Sequence, residues 1–369
     1  MPFTIEGTAR VRRSPFWRKD VLLPLPQQGE LKVVLIRSFP RPEIEESWRN
    51  LLGRVELPSH YTAPEFFREE HLQPRGPFAV LAIQRELAVG VLTGMHGPNG
   101  TVSGLPTRTQ VCLDDPRNEE VIRSLLTGLL AEAGSFDLIE IHSWTPLISA
   151  EKLGFRVQNV DGPVVLDLAK PVDELFKQLN SKRRNNIRFA IKNGLEFAEA
   201  SGEEFSTYYR DVYSRWRDTP RKQIHEAEAT FEGFERRFRL NSNRKLFVAR
   251  AGGKTVAGAF LRFYPGGLVE YAANSSLDEY LRLKPNEFIQ WKAIEWARGQ
   301  GFRAYSLGGA GQFHREFGGT VVSEYHYWLD RTLLRNYTLQ TNVRALSRRI
   351  MRAVQEVIAR VKPLRVSTK

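Results

Sequence analysis

An internal repeat constrains the fold of this 369-residue chain more than any other feature of its sequence. The stronger copy runs from Lys245 to Gly319, and a fainter copy lies at 78–144. Each copy predicts two strands joined by a tight turn, a glycine-rich hairpin, a further strand, a helix that ends at a glycine, and a buried strand. The period is far longer than that of short solenoid repeats, so the sequence predicts a duplicated domain and not an array.

The order of the predicted elements defines the fold class. Strands alternate with helices, and neighbouring hairpins imply a mixed sheet, which predicts an α/β fold built from tandem domains with a degenerate first copy. We expect an irregular leader at 1–29, a first domain at 30–165, a second at 166–332, and a basic amphipathic helix and tail at 333–369. No Gly/Ser-rich linker separates the domains, so they are expected to pack tightly.

Composition argues against several classes of protein. Cys112 is the single cysteine, which excludes a disulfide framework and a cysteine-based metal site and favours a core position for this residue. No run of about 18 apolar residues predicts a membrane-spanning helix. The N-terminus lacks the apolar segment of a secretory signal. No metal-ligand pattern, serine-nucleophile motif or zinc-protease motif is present. We therefore expect a cytoplasmic protein without a metal.

Positive charge is concentrated in two segments of a chain with net charge +12. Residues 181–192 carry five cations and no acid, and residues 340–369 carry eight cations against Glu356. Such segments favour phosphate-bearing partners or an anionic membrane surface. The alternative interpretation is a solvated helix face without a partner.

The first basic segment predicts an amphipathic helix. Ile187 and Ile191 are expected to form its buried stripe, with cations recurring every fourth residue beside them. The cations are Lys182, Arg183, Arg184, Arg188 and Lys192.

The C-terminal segment predicts one long helix from Leu333 to Val361. Apolar residues recur at helical spacing from Val343 onwards, with arginines between them. Such a helix can dock its apolar stripe on the body of the protein, which we slightly favour, or lie on the cytoplasmic face of a membrane.

Several segments of the second half together carry a family resemblance. They are SKRRNNIRFAIKNG, the hairpin AGGKTVAGAFLRFYPGGLVEYAANSS, the helix PNEFIQWKAIEWARGQGF, and LGG followed by FHREFGG. This half resembles the acyltransferase fold of the Gcn5-related N-acetyltransferase (GNAT) superfamily. It looks most like the branch that contains the FemABX peptidoglycan-bridge aminoacyltransferases and the BioF2-like acetyltransferase domain. The resemblance covers 165–330 strongly and 30–165 weakly.

The resemblance implies an N-acyltransferase that uses no metal. An acetyl or aminoacyl group would pass from acyl-CoA or aminoacyl-tRNA to an amine, by direct attack in a ternary complex. The implied acceptor is anionic, phosphate-bearing or lipid-linked, and related to the cell envelope or to polysaccharide. tRNA and, through the C-terminal helix, a membrane surface are the further implied partners.

Two predicted sites follow from the chemistry of acyl transfer. The start of the helix at Pro285 offers free backbone N–H groups and a favourable dipole for donor phosphates, and we assign the donor site to Lys284, Asn286 and Glu287. In the family, the strand LVEYAANSS lies along the acyl group, and a backbone N–H there binds the carbonyl oxygen. Strict alternation would place Glu270, Ala272 and Asn274 on one face of this strand and Tyr271 and Ala273 on the other. Tyr271 and Asn274 are the candidate catalytic residues here, with Tyr280 as a candidate substrate-binding residue.

FHREFGG departs from the family pattern. Related aminoacyltransferases have a lysine where this chain has His314, which could accept a proton from the amine near neutral pH. Arg315 could supply the positive charge instead. The resemblance also implies that the basic helix at 182–192 faces the substrate cleft and binds acceptor phosphate. Asp218, in the loop 218–222, is a further candidate acceptor contact.

A second interpretation belongs to another functional class. The same sequence could describe a non-catalytic RNA-binding or membrane-surface-binding protein on a retired GNAT fold. His314 favours that interpretation, whereas the polar residues around the helix start at Pro285 argue against it.

Overall fold

The computed structural model describes residues 21–23, 31–69, 76–97, 101–103, 105, 107–217, 230–239 and 242–361. They form one 14-stranded mixed sheet flanked by helices, which confirms the predicted α/β class. The first half contains β1 (Val21–Leu23), β2 (Leu31–Ile36), α1 (Pro42–Arg54), β3 (Pro77–Gln84), β4 (Leu87–Gly97), β5 (Thr101–Ser103), β6 (Val111–Leu113), α2 (Glu119–Ala133), β7 (Leu138–Ser143) and β8 (Arg156–Asp167).

The second half has the same architecture with additional helices. Its helices are α3 (Val172–Gln178), α4 (Ser181–Lys192), α5 (Glu203–Tyr208), α6 (Ser214–Arg217), α7 (Phe231–Arg239), α8 (Pro285–Gly299), α9 (Gln312–Arg315) and α10 (Asn336–Val361). Its strands are β9 (Leu195–Glu199), β10 (Arg244–Ala251), β11 (Lys254–Phe263), β12 (Leu268–Ser276), β13 (Ala304–Ser306) and β14 (Thr320–Asp330).

The repeat is visible as a shared order of elements. β3, β4, β5, α2 and β7 of the first half correspond to β10, β11, β12, α8 and β13 of the second. Both repeated helices are followed by a glycine with positive φ, Gly134 at 53° and Gly301 at 77°. Glycine adopts this conformation without the steric cost that a Cβ would add, so it ends each helix before the chain turns into the next strand.

The two halves exchange their last strands. β8 ends the first half but pairs with β13 of the second, and β14 ends the second half but pairs with β7 of the first. β8 and β14 also pair with each other, antiparallel, at the centre of the sheet. The halves are therefore joined by continuous backbone hydrogen bonding.

A β-bulge in β12 reverses the predicted alternation of its side chains. Phe260 of β11 lies opposite Ala273, and Leu261 lies opposite Tyr271, so Ala272 is an extra residue without its own partner. Beyond a bulge, successive side chains change face. Asn274 consequently points towards α8, the side on which Tyr271 is packed, and not to the side of Glu270. The predicted pairing of Asn274 with the face of Glu270 is wrong for this reason.

Apolar residues cover both faces of the sheet in the second half. On one face α4 and α8 pack against β10–β12 through Ile187, Phe288 and Ile294. On the other face α5 and α7 pack through Tyr208 and Phe234. The strand β12 therefore lies between two helical layers.

The first half has a similar pair of cores, one under α1 and one under α2. Cys112 lies in the core under α1, as expected, and burial raises the pKa of its thiol to about 12. An unreactive, protonated thiol fits a packing role.

The structure changes the description of both ends of the chain. Val21–Leu23, within the predicted irregular leader, form a strand antiparallel to β2, and the rest of 1–29 lies outside the described residues. The predicted long C-terminal helix is present as α10. No helix among the described residues is long and apolar enough to cross a membrane.

The part of the α10 apolar stripe whose side chains the structure describes is not docked on the body of the protein. Its described members are exposed: Leu339, Val343, Leu346, Ile350, Met351 and Val354. The start of the helix is anchored through buried Thr338, which accepts a hydrogen bond from Trp328 of β14. The interpretation that we had slightly favoured from the sequence is therefore wrong for these residues.

Candidate active site

The strands β12 and β13 part at the centre of the second half. They pair in parallel over three residues, and the last pair is Glu270 with Ser306. Beyond it the chain passes through Gly308, which has φ of 75°. A Cβ at Gly308 would lie 2.5 Å from the carbonyl oxygen of Tyr271, so no larger residue fits this close approach. The described β12–β13 pairing therefore ends at Glu270, and the residues of β12 that follow lie between the two helical layers.

Glu270 is the most unusual titratable group at this place, and sequence reasoning passed over it. Its side chain is 2% exposed, and its Oε2 atom has no hydrogen-bond partner among the described residues. Burial raises the pKa of its carboxyl, and this effect outweighs the nearby positive charges of Arg108 and Arg262. A carboxyl whose pKa is raised in this way is suited to accept a proton near neutral pH.

The start of α8 brings two predicted residues into contact. The Asn274 amide donates to the Oδ1 atom of Asn286 at 3.0 Å, which fixes the first turn of α8 against β12. Lys284, immediately before the helix, has φ of 63° and is half-buried. No side chain caps this helix end, so its free N–H groups remain available for an anion.

Glu287 of α8 forms hydrogen bonds with two residues of α4. Its Oε1 accepts hydrogen bonds from Arg183 at 2.6 Å and from Asn186 at 2.9 Å. Arg183 also pairs with Glu316 at 2.8 Å and lies 4.4 Å over the ring of Phe313. Arg183 and Glu287 therefore join α4, α8 and α9, and their charges are largely satisfied by each other.

The other cations of α4 differ in their environment. Arg184 donates to the backbone carbonyls of Lys177 and Leu179, at the end of α3. Arg188 is exposed and lies 5.2 Å from the ring centre of Phe176, and Lys182 and Lys192 are also exposed. The predicted buried stripe is only half correct, because Ile187 is buried but Ile191 is 49% exposed. Ala190 takes the second buried position, since it is three residues from Ile187 on the helix.

His314 lies against the glycines that follow β13. A Cβ at Gly309 would lie 3.0 Å from its ring, and the Nδ1 atom has no hydrogen-bond partner among the described residues. Burial lowers the pKa of His314, so the imidazole is neutral at pH 7. Gly308 contacts Tyr271 and Gly309 contacts His314, which brings two candidate catalytic residues to the same strand junction.

The remaining candidate site residues in the described part of the chain differ in burial and in their contacts. Tyr271 is buried, its hydroxyl has no hydrogen-bond partner within the described part of the chain, and burial raises its pKa well above the usual value. Tyr280 is half-buried, and the Lys254 ammonium lies 5.3 Å over its ring. Arg315 pairs with exposed Asp161 at 2.8 Å and donates from its Nε to the backbone carbonyl of Ala310 at 2.7 Å. Asp218 lies outside the described residues.

A buried ion network joins the halves on the face of β12 that Glu270 occupies. Glu69 of the first half is 1% exposed and accepts hydrogen bonds from Arg244 of β10, at 3.0 Å from its Nε, and from His60 at 2.6 Å. Arg262 of β11 approaches Glu69 at 3.9 Å and lies opposite Glu270 in the sheet register. Sequence reasoning missed this network because its members are far apart in the chain.

The strand exchange also brings together potential metal ligands that the sequence did not reveal. Ligand atoms of Glu140, His142 and His326 lie within 4.8 Å of one another. The two imidazole rings are stacked at 4.5 Å and 4°, and each is hydrogen-bonded to a carboxylate, His142 to Glu324 and His326 to Glu140. In-plane lone pairs of parallel rings do not converge on one ion. The cluster is therefore best described as a hydrogen-bonded contact between β7 and β14.

Comparisons with known proteins agree with this architecture. Residues 181–317 match the family model described as an acetyltransferase (GNAT) domain. No curated protein sequence matches the chain. The crystal structure of FemX is similar with a TM-score of 0.62 at 13% identity, over 77% of this chain and 96% of that one.

Two further solved structures share the tandem fold. The C-terminal domain described as a lysylphosphatidylglycerol synthetase from Agrobacterium fabrum has a TM-score of 0.56 at 14% identity, over 82% of this chain and 96% of that one. A tandem GNAT protein from the clavulanic acid biosynthesis pathway has a TM-score of 0.54 at 12% identity, over 82% of this chain and 99% of that one. Residues 181–317 therefore carry a match to an acetyltransferase (GNAT) domain, and the described chain shares its overall fold with FemX and with a tandem GNAT protein.

Proposed function

We propose that the chain transfers an acetyl or aminoacyl group from acyl-CoA or aminoacyl-tRNA to an amine on an anionic acceptor. The observation that carries the proposal is the buried carboxyl of Glu270, whose Oε2 atom has no hydrogen-bond partner in the described part of the chain, close to the bulge at Ala272 and to the end of the β12–β13 pairing. Backbone groups and a proton acceptor thus lie together between two helical layers. Acyl transfer to an amine needs both.

The reaction is a direct displacement. The amine nitrogen attacks the acyl carbon, a C–N bond forms, and the carbonyl oxygen takes negative charge that a backbone N–H near Ala272 stabilises. Glu270 accepts the proton that the nitrogen loses. The C–S bond of a thioester, or the C–O bond of an aminoacyl ester, then breaks, and the leaving group takes a proton from solvent. His314, at the opposite end of the junction, is the second candidate proton acceptor.

We assign the exposed cations of α4 to the donor. α4 packs beside α8, and Arg183 connects it to the first turn of that helix. Lys182, Arg188 and Lys192 therefore extend the cationic surface that begins at Lys284. A donor rich in phosphate, whether coenzyme A or tRNA, complements this surface. This assignment differs from the acceptor role inferred from the sequence, which remains untested.

Donor binding tests the proposal. The Lys284→Ala variant is expected to weaken acetyl-CoA binding about tenfold, since it removes one charge-assisted contact. The double variant Arg188→Ala, Lys192→Ala is expected to weaken the binding of uncharged or aminoacylated tRNA at least as strongly. It is also expected to make this binding less dependent on salt concentration. Isothermal titration at two salt concentrations measures both, with Lys32→Ala on the exposed side of β2 as the matched charge control.

The pattern of binding separates the donors. Saturable acetyl-CoA binding that depends on Lys284 would identify the thioester as the donor. Binding of tRNA that depends on Lys284, Arg188 and Lys192 would identify aminoacyl-tRNA as the donor. If neither donor binds the wild-type protein, or if Lys32→Ala weakens binding as much as the α4 variant, the proposed donor site is wrong.

We further propose that α10 places the protein on an anionic membrane surface, where a lipid-linked acceptor would be accessible. The described apolar residues of its stripe are exposed, and residues 340–369 carry eight cations against one acid. This combination is typical of helices that lie in a membrane interface. One structural neighbour is named for lysylphosphatidylglycerol, a derivative of an anionic lipid. A lipid-linked acceptor of this chain would belong to the same class of molecule.

The Leu346→Ser, Ile350→Ser variant is expected to lose most binding to vesicles of equal phosphatidylglycerol and phosphatidylcholine. Each replacement removes apolar area that would enter the interface, worth about 1.5–3 kcal/mol per fully buried side chain. Co-sedimentation measures the effect, with Leu333→Ser, which removes an exposed leucine just before α10, as the control. Equal loss in both variants, or equal binding to pure phosphatidylcholine, would contradict membrane contact through the stripe.

A further inference from the structure

A cavity of about 110 Å³ opens beside the bulge of β12, on the face opposite α8. Ala272 and Ala273 form its floor, and Arg237, Arg244 and Arg262 reach it from α7, β10 and β11. Aromatic rings of Tyr213, Phe234, Phe238 and Phe260 complete its wall. The volume equals about four waters at the density of liquid water, which suits one small anionic group with a few further atoms.

The position of the cavity relates it to acyl transfer. The donor surface at α4 and α8 lies on one face of β12, and the cavity lies on the other, at the residue where the strand bulges. Arg262 of the cavity wall is the register partner of Glu270, so the proposed proton acceptor lies at its edge. A molecule in the cavity would approach the strand junction from the side opposite the donor.

The charge of the cavity indicates what it binds. Guanidinium groups from three separate strands and helices converge on a space of this size. Glu69 pairs with two of them, and burial holds the pKa of Glu270, the register partner of Arg262, above its usual value. Arginine side chains bind carboxylate and phosphate groups through pairs of parallel hydrogen bonds, and the aromatic wall strengthens these bonds by excluding water.

We propose that this arginine cavity binds the anionic group of the acceptor, a carboxylate or a phosphate that lies a few bonds from the reacting amine. The inference rests on the proposed transfer to an amine, and it defines the acceptor as an amine that carries its own anion within a few bonds. The cavity holds the anion, and the amine lies at the edge beside Glu270 and Ala272.

Three amines with the same two-carbon spacer test the inference because they differ mainly in the group at the far end. β-Alanine carries a carboxylate, phosphoethanolamine a phosphate, and ethanolamine neither. Isothermal titration of the full chain is expected to show at least tenfold tighter binding of one or both anionic amines than of ethanolamine. The preference between the two anions identifies the group that the cavity accepts.

Variants locate the binding. Arg237→Gln removes a cavity cation from α7 and is expected to lower the affinity for the preferred anionic amine about tenfold. Arg239→Gln removes an exposed cation from the same helix and is expected to change this affinity less than twofold. Ala273→Val adds volume to the floor without changing charge and is expected to lower the affinity as well. Circular dichroism and thermal unfolding confirm that each variant is folded.

The outcomes are separate from those of the donor experiment. The inference is overturned if the three amines bind alike, if none binds at the highest concentration used, or if Arg237→Gln and Arg239→Gln weaken binding equally. Anion binding that depends on Arg237, without any transfer from either acetyl-CoA or aminoacyl-tRNA, supports the cavity and contradicts the proposed function. Transfer to all three amines at equal rates supports the function and contradicts the cavity.

Discussion

Replacing Glu270 with glutamine is expected to lower kcat for acyl transfer by about 10²–10⁴-fold, the usual contribution of a positioned proton acceptor. Glutamine keeps the shape of the side chain but cannot take the proton that the attacking amine loses. The carboxyl is 2% exposed, and its Oε2 atom has no hydrogen-bond partner among the described residues. Transfer of acetyl from acetyl-CoA to the preferred amine, followed by thiol release, measures the loss.

The stability of this variant separates catalysis from folding. Burial raises the pKa of Glu270, so its folded form favours the protonated carboxyl. Ionising it above its usual pKa therefore costs folding free energy, and that cost grows as pH rises towards the raised pKa. Glu270→Gln removes the cost and is expected to unfold at an equal or higher temperature at pH 8 than the wild-type protein.

The pH profile and two controls assign the role. In the wild-type protein kcat should rise with pH as Glu270 loses its proton, and this rise should be absent in Glu270→Gln. Glu196→Gln, an exposed carboxylate on β9, should leave kcat and its pH dependence unchanged. If His314→Gln abolishes the rise instead, His314 is the proton acceptor and Glu270 has only a structural role.

The fold could be predicted from sequence further than the site could. Hydrophobic periodicity and glycine positions are local signals, and they predicted the repeat, the α/β class and the helix ends at Gly134 and Gly301. The strand exchange was not predictable. The sequences of β7 and β13 are compatible both with pairing to the last strand of their own half and with pairing to the last strand of the other half. Pairing partners are set by long-range contacts that no local pattern encodes.

The site was predicted in its parts but not in its arrangement. The helix start at Pro285 and the strand after Leu268 were identified, and Asn274 and Asn286 are indeed in contact. The bulge at Ala272 was missed, since Tyr-Ala-Ala-Asn carries no glycine or proline to mark it. That one extra residue reverses the face of Asn274 and leaves Glu270 pointing towards the arginines. A lone glutamate in a strand reads as exposed, and only the packing of the first half shows that it is buried.

Replacing Glu69 with glutamine is expected to destabilise the protein by about 3–5 kcal/mol, the cost of removing one partner from a buried ion pair. Burial already lowers the pKa of Arg244, and the charge of Glu69 opposes this effect. Without Glu69 the arginine would be left in the junction between the halves with its main counter-charge lost. Urea unfolding at pH 7.5 measures the change, and Glu56→Gln, an exposed carboxylate of the first half, should shift the midpoint little.

A double variant shows whether this loss comes from the uncompensated charge. Glu69→Gln with Arg244→Met removes both partners, and because no charge is stranded it should recover a large part of the lost stability. A loss below about 1 kcal/mol in Glu69→Gln, in the range of an exposed ion pair, would contradict the buried network. The network joins Glu69 of the degenerate half to Arg244 and Arg262 of the arginine cavity. The first half therefore holds in place the cations that the second half would use for the acceptor, which gives the copy without its own site a role in the activity of the other.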